Sequence, residues 1–512
     1  MLIPRPVSIS DSAGSFALTP ATAIHAPDAP EVAALLRELL TPVTGLPLPD
    51  AAEHGPHTIA LHVDPGATDL GAEGYRLDVA RTGVTAVATG PAGLRWAVQA
   101  FRQLLPVAAF ARGPADAAWT VTPVSVVDTP RYPWRGLLLD VGRWHKPVAW
   151  LRTVVDLLAM HRMNVLHLHL TEDQGWRFEV RKYPRLTEVG AFRRASPAGH
   201  ETDNASDDTP HGGFYTQDEL RDLVAYAARR GVTIVPEIDL PGHMQAAIAA
   251  YPRLGNDPEN PPEVWTRFGV STRVLNVADE TVAFVKDVLD ELMDVFPSPW
   301  IHLGGDEVPL DEWQASPEAA RRIAAEGLDG AGDLLGWWIR QVAAHVTAAG
   351  RRPVLWDELV GQSAPADAIV MAWRGHDRIA DGLRDGHDVI ATPHEHLYLN
   401  YPASDAPGEP LSIRDGYPDP HGPTTLDSVY AYRAEPAGLP QELASRVVGV
   451  QANMWCEYAP TAERAEYDLL PRLAAVAEVA WGATTDPAAF RTRLATHVRR
   501  FDAAGLTYRP LD

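Results

Sequence analysis

RGLLLDVGRWHKPVAWLRTVVDLLAMHRMNVLHLHL, from Arg135 to Leu170, decides the fold. It opens with the apolar run Leu137, Leu138 and Leu139, of strand length. Pro147 then stands where a helix begins, a position at which its missing N–H costs nothing. Leu151, Val154, Val155 and Leu158 recur at the spacing that lines one helical face. A second apolar run, NVLHLHL from Asn164, follows. Apolar strand, amphipathic helix, apolar strand is the repeating unit of an α/β protein.

Working outward toward the C-terminus, the alternation continues. Thr216 and Glu219 are spaced as a capping box for DELRDLVAYAARR, and Gly231 ends that helix. VTIVPEID, WIHLGG, RPVLW, AIVMAW, HDVIAT and VVGVQANMW bring the strand candidates to eight. Eight strands with intervening helices over roughly 350 residues predict a (β/α)8 TIM barrel. An open doubly wound sheet would need a Gly-rich phosphate turn after its first strand, and the sequence has none there. Arg193–Gly213 and Ser404–Thr425 are long irregular segments of the kind that serve as lids or pocket walls.

Outward in the other direction, HTIALHV from His57 and YRLDVARTGVTAVATG from Tyr75 read as strands of an antiparallel sheet. GPAGLRWAVQAFRQLLP places Leu94, Val98, Phe101 and Leu105 on one helical face, and Pro106 stops the helix. The expectation is a small α+β domain over residues 1–125, an Ala/Gly/Pro-rich linker within Ala109–Ala118, and a barrel over 126–512.

The composition narrows the function. In 512 residues, 44 basic and 67 acidic side chains give a net charge of −23, unsuited to a nucleic-acid partner. A single cysteine, Cys456, excludes an intrachain disulfide and a cysteine-based zinc site. No apolar stretch reaches the length of a membrane span. The opening MLIPRPVSISDSAGSF lacks a basic and then apolar leader, leaving both a cytoplasmic and a secreted location open. The 15 tryptophans stand out. Their ring faces fill cores, and they also line sugar-binding pockets.

A barrel carries its active site where the strands end. The residues past the eight strands are Asp140 and Arg143, Glu172 and Asp173, Asp239 and His243, and Asp306 and Glu307. After them come Trp356 and Asp357, Trp373 and Arg374, Tyr398 and Asn400, and Trp455 and Glu457. Carboxylates and aromatic rings recur, and no basic cluster is present to hold a phosphate. The set suits a neutral polyhydroxylated ligand. WIHLGGDEV is the sharpest local signal, because Gly304 and Gly305 allow a tight turn that presents Asp306 beside Glu307.

RGLLLDVGR, NVLHLHLTEDQGWR, PEIDLPGH, HLGGDEV, YLN and NMWCE occur in the order found in glycoside hydrolase family 20, and nearly the whole chain resembles a β-N-acetylhexosaminidase of that family. The resemblance implies exo-hydrolysis of terminal β-linked GlcNAc, with GalNAc a further candidate, by substrate-assisted retention through an oxazolinium intermediate. It implies no metal or organic cofactor, and N-acetylhexosamine oligosaccharides or glycoconjugates as partners. It gives Glu307 the role of general acid and base, Asp306 that of orienting the acetamido N–H, and Tyr398 that of donating to the acetamido carbonyl. Trp356, Trp373 and Trp455 would wall the pocket, and Arg143 and Glu457 would bind hydroxyls of the terminal sugar. Asn400 would contact the sugar, and His243 with Glu172 would tune Glu307.

The chain departs from the family's usual pattern at several points. Glu172 stands where Asp is common, and Asn400 where many bacterial members have Asp. Trp144-His145-Lys146 differs from the usual pair after the arginine, and no tryptophan follows Asn400 in the segment YPASDAPGEPLSIRDGY.

Other readings compete with this one. A two-carboxylate retaining β-glycosidase would use Glu457 as nucleophile, and a non-catalytic carbohydrate-binding protein would need no positioned acid. A metal-dependent hydrolase would use His167 and His169, which share a strand face. Hydrogen bonding inside the barrel is the simpler expectation for those two and for His302. Glu237 and Asp239 are expected to support the site, Trp337 and Trp338 to pack, Trp176 to serve pocket or core, and Cys456 to be an inert buried thiol.

Overall fold

Each of the eight apolar runs forms a strand, and the eight close on one another in a single parallel sheet. In the computed structural model, which describes residues 2–203, 205–362, 364–413, 422–482 and 486–511, the first four are Trp134–Asp140, Val165–His169, Thr233–Glu237 and Trp300–His302. Arg352–Trp356, Ile369–Ala372, Asp388–Ala391 and Val447–Met454 complete the barrel. The eighth strand pairs with the first, Gly449 opposite Trp134. A Cβ on Gly449 would lie 2.4 Å from that of Trp134, so closure requires glycine there.

The barrel interior is filled rather than hollow. Trp134, Leu138, Val165, Val235, Val354, Ile369, Met371 and Ile390 form one apolar cluster. His167, His169, Glu237, His302 and Gln451 are also fully buried. Outside, helix Val148–Met160 buries Leu151, Val154, Val155 and Leu158. Full burial is worth roughly 1.5–3 kcal/mol for each such side chain. Helix Gln217–Arg229 starts on the expected capping box: Thr216 accepts from the Glu219 N–H, and the Glu219 carboxylate accepts from the Thr216 N–H at 2.9 Å.

The N-terminal sheet differs from the antiparallel one expected. Ser8–Asp11, Val124–Asp128, Tyr75–Val79 and Val84–Ala88 pair antiparallel, but Val84–Ala88 with Thr58–Val63, and Thr58–Val63 with Ala23–His25, pair parallel. The reason is helix Pro30–Thr44, which carries the chain back between Ala23–His25 and Thr58–Val63. A crossover of that kind forces parallel pairing. The strand Val124–Asp128 spans residue 125, so this sheet extends past that point. Helix Pro91–Leu104 packs on the sheet through Leu94, Val98 and Phe101, and Leu105 follows as its C-cap.

Asp128 at the end of that strand ties the domain to the barrel. It pairs with Arg162 at 2.9 Å, both side chains wholly buried. It also accepts from Tyr75 Oη and Trp481 Nε1, each at 2.9 Å.

Of the two long segments, Arg193–Gly213 carries two nested antiparallel ladders, Phe192–Arg193 with His211–Gly212 and, inside it, Pro197–Ala198 with Ala205–Ser206, and the Arg193 guanidinium stacks 4.4 Å over Trp144. In Ser404–Thr425, residues 414–421 lie outside the described residues. Among the described residues no helix is long and apolar enough to cross a membrane.

Candidate active site

The turn after the fourth strand takes a positive φ at three of its residues, with Asp306 between them in ordinary backbone. Gly304 and Gly305 have φ of 67° and 101°, and Glu307 itself has φ of 50°. A left-handed conformation costs a residue with a Cβ about 1–2 kcal/mol, and such strain persists only where the surroundings over-determine it. Here Asp239 does so: it accepts from Gly305 N–H at 3.1 Å and sits against Gly304. His243, on the neighbouring loop, is also left-handed, with φ of 53°.

Asp306 and Glu307 open into one pocket of about 120 Å³. Arg143, Glu457 and Asn400 line it with them, and Trp356, Trp373, Trp455 and Tyr398 form its walls. Trp373 and Tyr398 lie near parallel, 6.2 Å apart at 18°. Trp356 and Trp455 are 6.0 Å apart at 45°. Tyr401 and Ile413 also line the pocket and were not anticipated. Tyr401 sits one residue past Asn400 and was readable from that position, whereas Ile413 lies far into an irregular segment and carries no sequence signal. A larger cleft, about 600 Å³, lies between the N-terminal domain and the barrel but holds none of the strand-end residues.

Four buried polar atoms of residues lining this pocket have no hydrogen-bond partner within the protein: Asp306 Oδ1, Asn400 Oδ1, Glu457 Oε2 and Arg143 Nε. Leaving one such atom unpaired costs about 1–3 kcal/mol. The four are free to meet hydroxyl or amide groups entering the pocket.

Glu172 and His243 stand behind the pocket rather than in its wall. The Glu172 side chain reaches His243 Nδ1 at 3.1 Å, His169 Nε2 at 3.1 Å and Arg143 Nη2 at 2.9 Å. His243 Nε2 lies 3.6 Å from Glu307 Oε2 and 3.9 Å from Asp306 Oδ2. Burial alone would raise the Glu172 carboxyl, but Arg143 and His243 hold it well below the usual range. Burial would lower His243, yet Glu172 beside it keeps it well above its ordinary value.

Burial pushes Glu307 up; Asp306 and Glu172 add to the rise, and His243 and Arg143 oppose it. The Glu307 side chain keeps 43% exposure at the mouth, so water tempers that rise. Burial pushes Glu457 up to about 7 despite Arg143 at 3.8 Å. A carboxyl raised so far is a poor nucleophile at mildly acidic pH, which disfavours the two-carboxylate reading.

The remaining sequence candidates fall below or beside the site. His167 Nε2 and His302 Nδ1 lie 3.0 and 2.9 Å from Glu237, in the barrel interior. With Glu237 they converge closely enough to hold an ion. Glu237, however, already accepts from Trp356 Nε1 at 3.0 Å and from His169 Nδ1. Trp337 and Trp338 are buried in helix Ala331–Ala348. Trp176 is buried and donates to the Phe178 carbonyl. Cys456 is fully buried, and burial pushes its thiol up, which makes it unreactive.

A closed barrel with paired carboxylates and aromatic walls at its strand ends defines a glycoside hydrolase. Residues 132–484 match the family model "Glycosyl hydrolase family 20, catalytic domain", and residues 1–129 match "Glycosyl hydrolase family 20, domain 2". The chain belongs to glycosyl hydrolase family 20, and its activity is of the β-hexosaminidase type. A β-hexosaminidase of Porphyromonas gingivalis is 36% identical across 99% of this chain, which spans 64% of that longer protein. The β-N-acetylhexosaminidase of Cellulomonas fimi is 34% identical, covering 99% of this chain and 95% of its own length. Among solved structures, the family 20 β-N-acetylhexosaminidase of Streptomyces coelicolor superposes with a TM-score of 0.84 at 31% identity, over 100% of this chain and 97% of its own. The exo-β-N-acetylglucosaminidase of Vibrio harveyi, solved with N-acetylglucosamine, superposes with a TM-score of 0.87 at 30% identity, over 99% and 78%.

Proposed function

We propose that this pocket releases a terminal, non-reducing β-linked GlcNAc, with GalNAc a further candidate, from oligosaccharides of the chitin type or from glycoconjugates. The observation that carries the reading is the adjacent Asp306 and Glu307 in a pocket walled by Trp356, Trp373, Trp455 and Tyr398. In the first step the acetamido oxygen of the substrate attacks C1, the C1–O bond to the leaving group breaks, and Glu307 gives its proton to the departing oxygen. Asp306 accepts from the acetamido N–H through its unpaired Oδ1, steadying the positive charge that develops on the ring. Tyr398 Oη donates to the acetamido carbonyl, and the tryptophan rings hold the methyl group and sugar face. Glu307, now a carboxylate, takes a proton from water as the water oxygen adds to C1 and reopens the oxazolinium ring. Arg143, Asn400 and Glu457 take the hydroxyls of the terminal sugar, and His243 held by Glu172 sets the charge around Glu307.

The test compares p-nitrophenyl β-GlcNAc, β-GalNAc and β-glucoside for the wild type and Glu307→Gln. Turnover of the two acetamido sugars and near-silence on the glucoside are expected, with at least ~100-fold loss in the variant. Near-full activity of Glu307→Gln on β-GlcNAc would sink the assignment.

A further inference from the structure

The hydrogen bonds behind Glu307 do not stop at Glu172. From the acid inward, His243 Nδ1 meets Glu172 Oε2 at 3.1 Å, and Glu172 Oε1 meets His169 Nε2 at 3.1 Å. His169 Nδ1 then meets Glu237 Oε2, and the other oxygen of Glu237 accepts from Trp356 Nε1 at 3.0 Å. One buried carboxylate thus ends the line that starts at the acid and also anchors a wall of the sugar pocket. His169 further presents its ring to Trp455, edge-on at 4.9 Å and 80°.

The two nitrogens of His169 settle its charge. A neutral imidazole donates from one nitrogen only, and both nitrogens here meet carboxylate oxygens. Glu172 and Glu237 are both held well below the usual carboxylate range, so both nitrogens donate and the ring is an imidazolium. Burial would lower His169, yet Glu237 and Glu172 keep it well above its ordinary value.

We propose that Glu237 and His169 are positioning residues that act through Glu172 and His243: Glu237 fixes Trp356 with one oxygen and with the other keeps a proton on His169, which offsets part of the Glu172 charge facing the acid. The proposal rests on Glu307 being the general acid. The charged groups around the line are known on every side. Glu237 faces His167, His302 and His169, and Asp239 lies close to both Glu237 and His169. Glu172 faces Arg143, His243, His169 and Asp173, and Glu307 faces His243, Asp306, Arg143 and Glu172. Without the Glu237 charge, His169 becomes neutral. Glu172 then acts on Glu307 as a less compensated negative charge, which raises the acid's pKa.

The test is Glu237→Gln with two aryl β-GlcNAc substrates, one with a poor leaving group (p-nitrophenol) and one with a good one (2,4-dinitrophenol). A defect that acts through the acid is expected to cost ~10-fold or more on the poor leaving group and much less on the good one. The alkaline limb of kcat/KM should move to higher pH, by roughly half a unit or more. Trp356→Phe removes the indole donor to one oxygen of Glu237 but keeps its charge and its contact with His169, so it should raise KM and leave the limb in place. Equal losses on both substrates with an unmoved limb would reduce Glu237 to a structural role and overturn the proposal. Glu307→Gln is assayed alongside, so its loss combined with wild-type behaviour of Glu237→Gln overturns this inference alone. Should Glu237→Gln not fold, ¹⁵N-histidine spectra of the wild type at pH 8 decide. A buried imidazolium with two slowly exchanging N–H groups and contacts to the Trp455 ring, which separate it from His243, is expected, and its absence overturns the proposal.

Discussion

Gly304→Ala isolates what holds the acid pair in place. With φ of 67°, the alanine pays about 1–2 kcal/mol for a left-handed backbone. Its Cβ would also lie 1.7 Å from Oδ1, 2.4 Å from Cγ and 2.7 Å from Cα of Asp239. The Cα distance is the important one, because rotating the Asp239 side chain cannot relieve it. Overpacking of this kind adds about 1–3 kcal/mol, for a total loss of ~2–5 kcal/mol. Relief requires the turn to move by on the order of 1 Å, which costs about 100-fold in rate. Gly327→Ala is the matched control. It has φ of 65°, caps helix Pro317–Glu326, and has no atom within 4 Å of an added Cβ. The control should lose only about 1–2 kcal/mol and keep the wild-type kcat. The assay is thermal unfolding by circular dichroism together with kcat on p-nitrophenyl β-GlcNAc. If the two variants match in both measurements, the argument that Asp239 braces the turn is wrong.

Asp128→Ala should be among the most damaging changes outside the pocket, because it strands Arg162 in a fully buried site. Breaking a buried pair in this way costs about 3–5 kcal/mol. A lower urea midpoint is the expected record, and an unchanged midpoint would refute the tie between the domains. Glu457, pushed up to about 7 by burial, titrates inside the assay range. It is neutral below that pH and above it becomes an acceptor for sugar hydroxyls, so KM should fall as pH rises through about 7. Glu457→Gln should remove that step from the KM profile, and persistence of the step in the variant would assign it to another group.

The barrel was legible because its strands announce themselves locally. Runs such as Leu137–Leu139 and Ile369–Ala372 are apolar without alternation, and each is followed within a few residues by a carboxylate or a tryptophan. The direction of strand pairing in the N-terminal sheet was not legible in the same way. Thr58–Val63 has the same composition whether its neighbours run parallel or antiparallel, and the deciding element is the returning helix Pro30–Thr44. In the site, the pocket walls followed from their place at strand ends. The partners behind the walls did not: Trp356 donates to Glu237, 119 positions away, and Trp373 donates to Glu358 at 3.1 Å. Contacts of that kind come from barrel closure, which no local spacing encodes.

The left-handed backbone at Glu307 has a consequence for the chain's evolution. Glutamate is a poor residue for that conformation, whereas glycine or asparagine would adopt it at less cost. The residue assigned to proton transfer therefore occupies a position at which the most stable sequence is an inactive one. Selection for heat resistance alone would drift away from glutamate here, and only selection for turnover retains it. A library screened on melting temperature would shed its catalyst first at this residue.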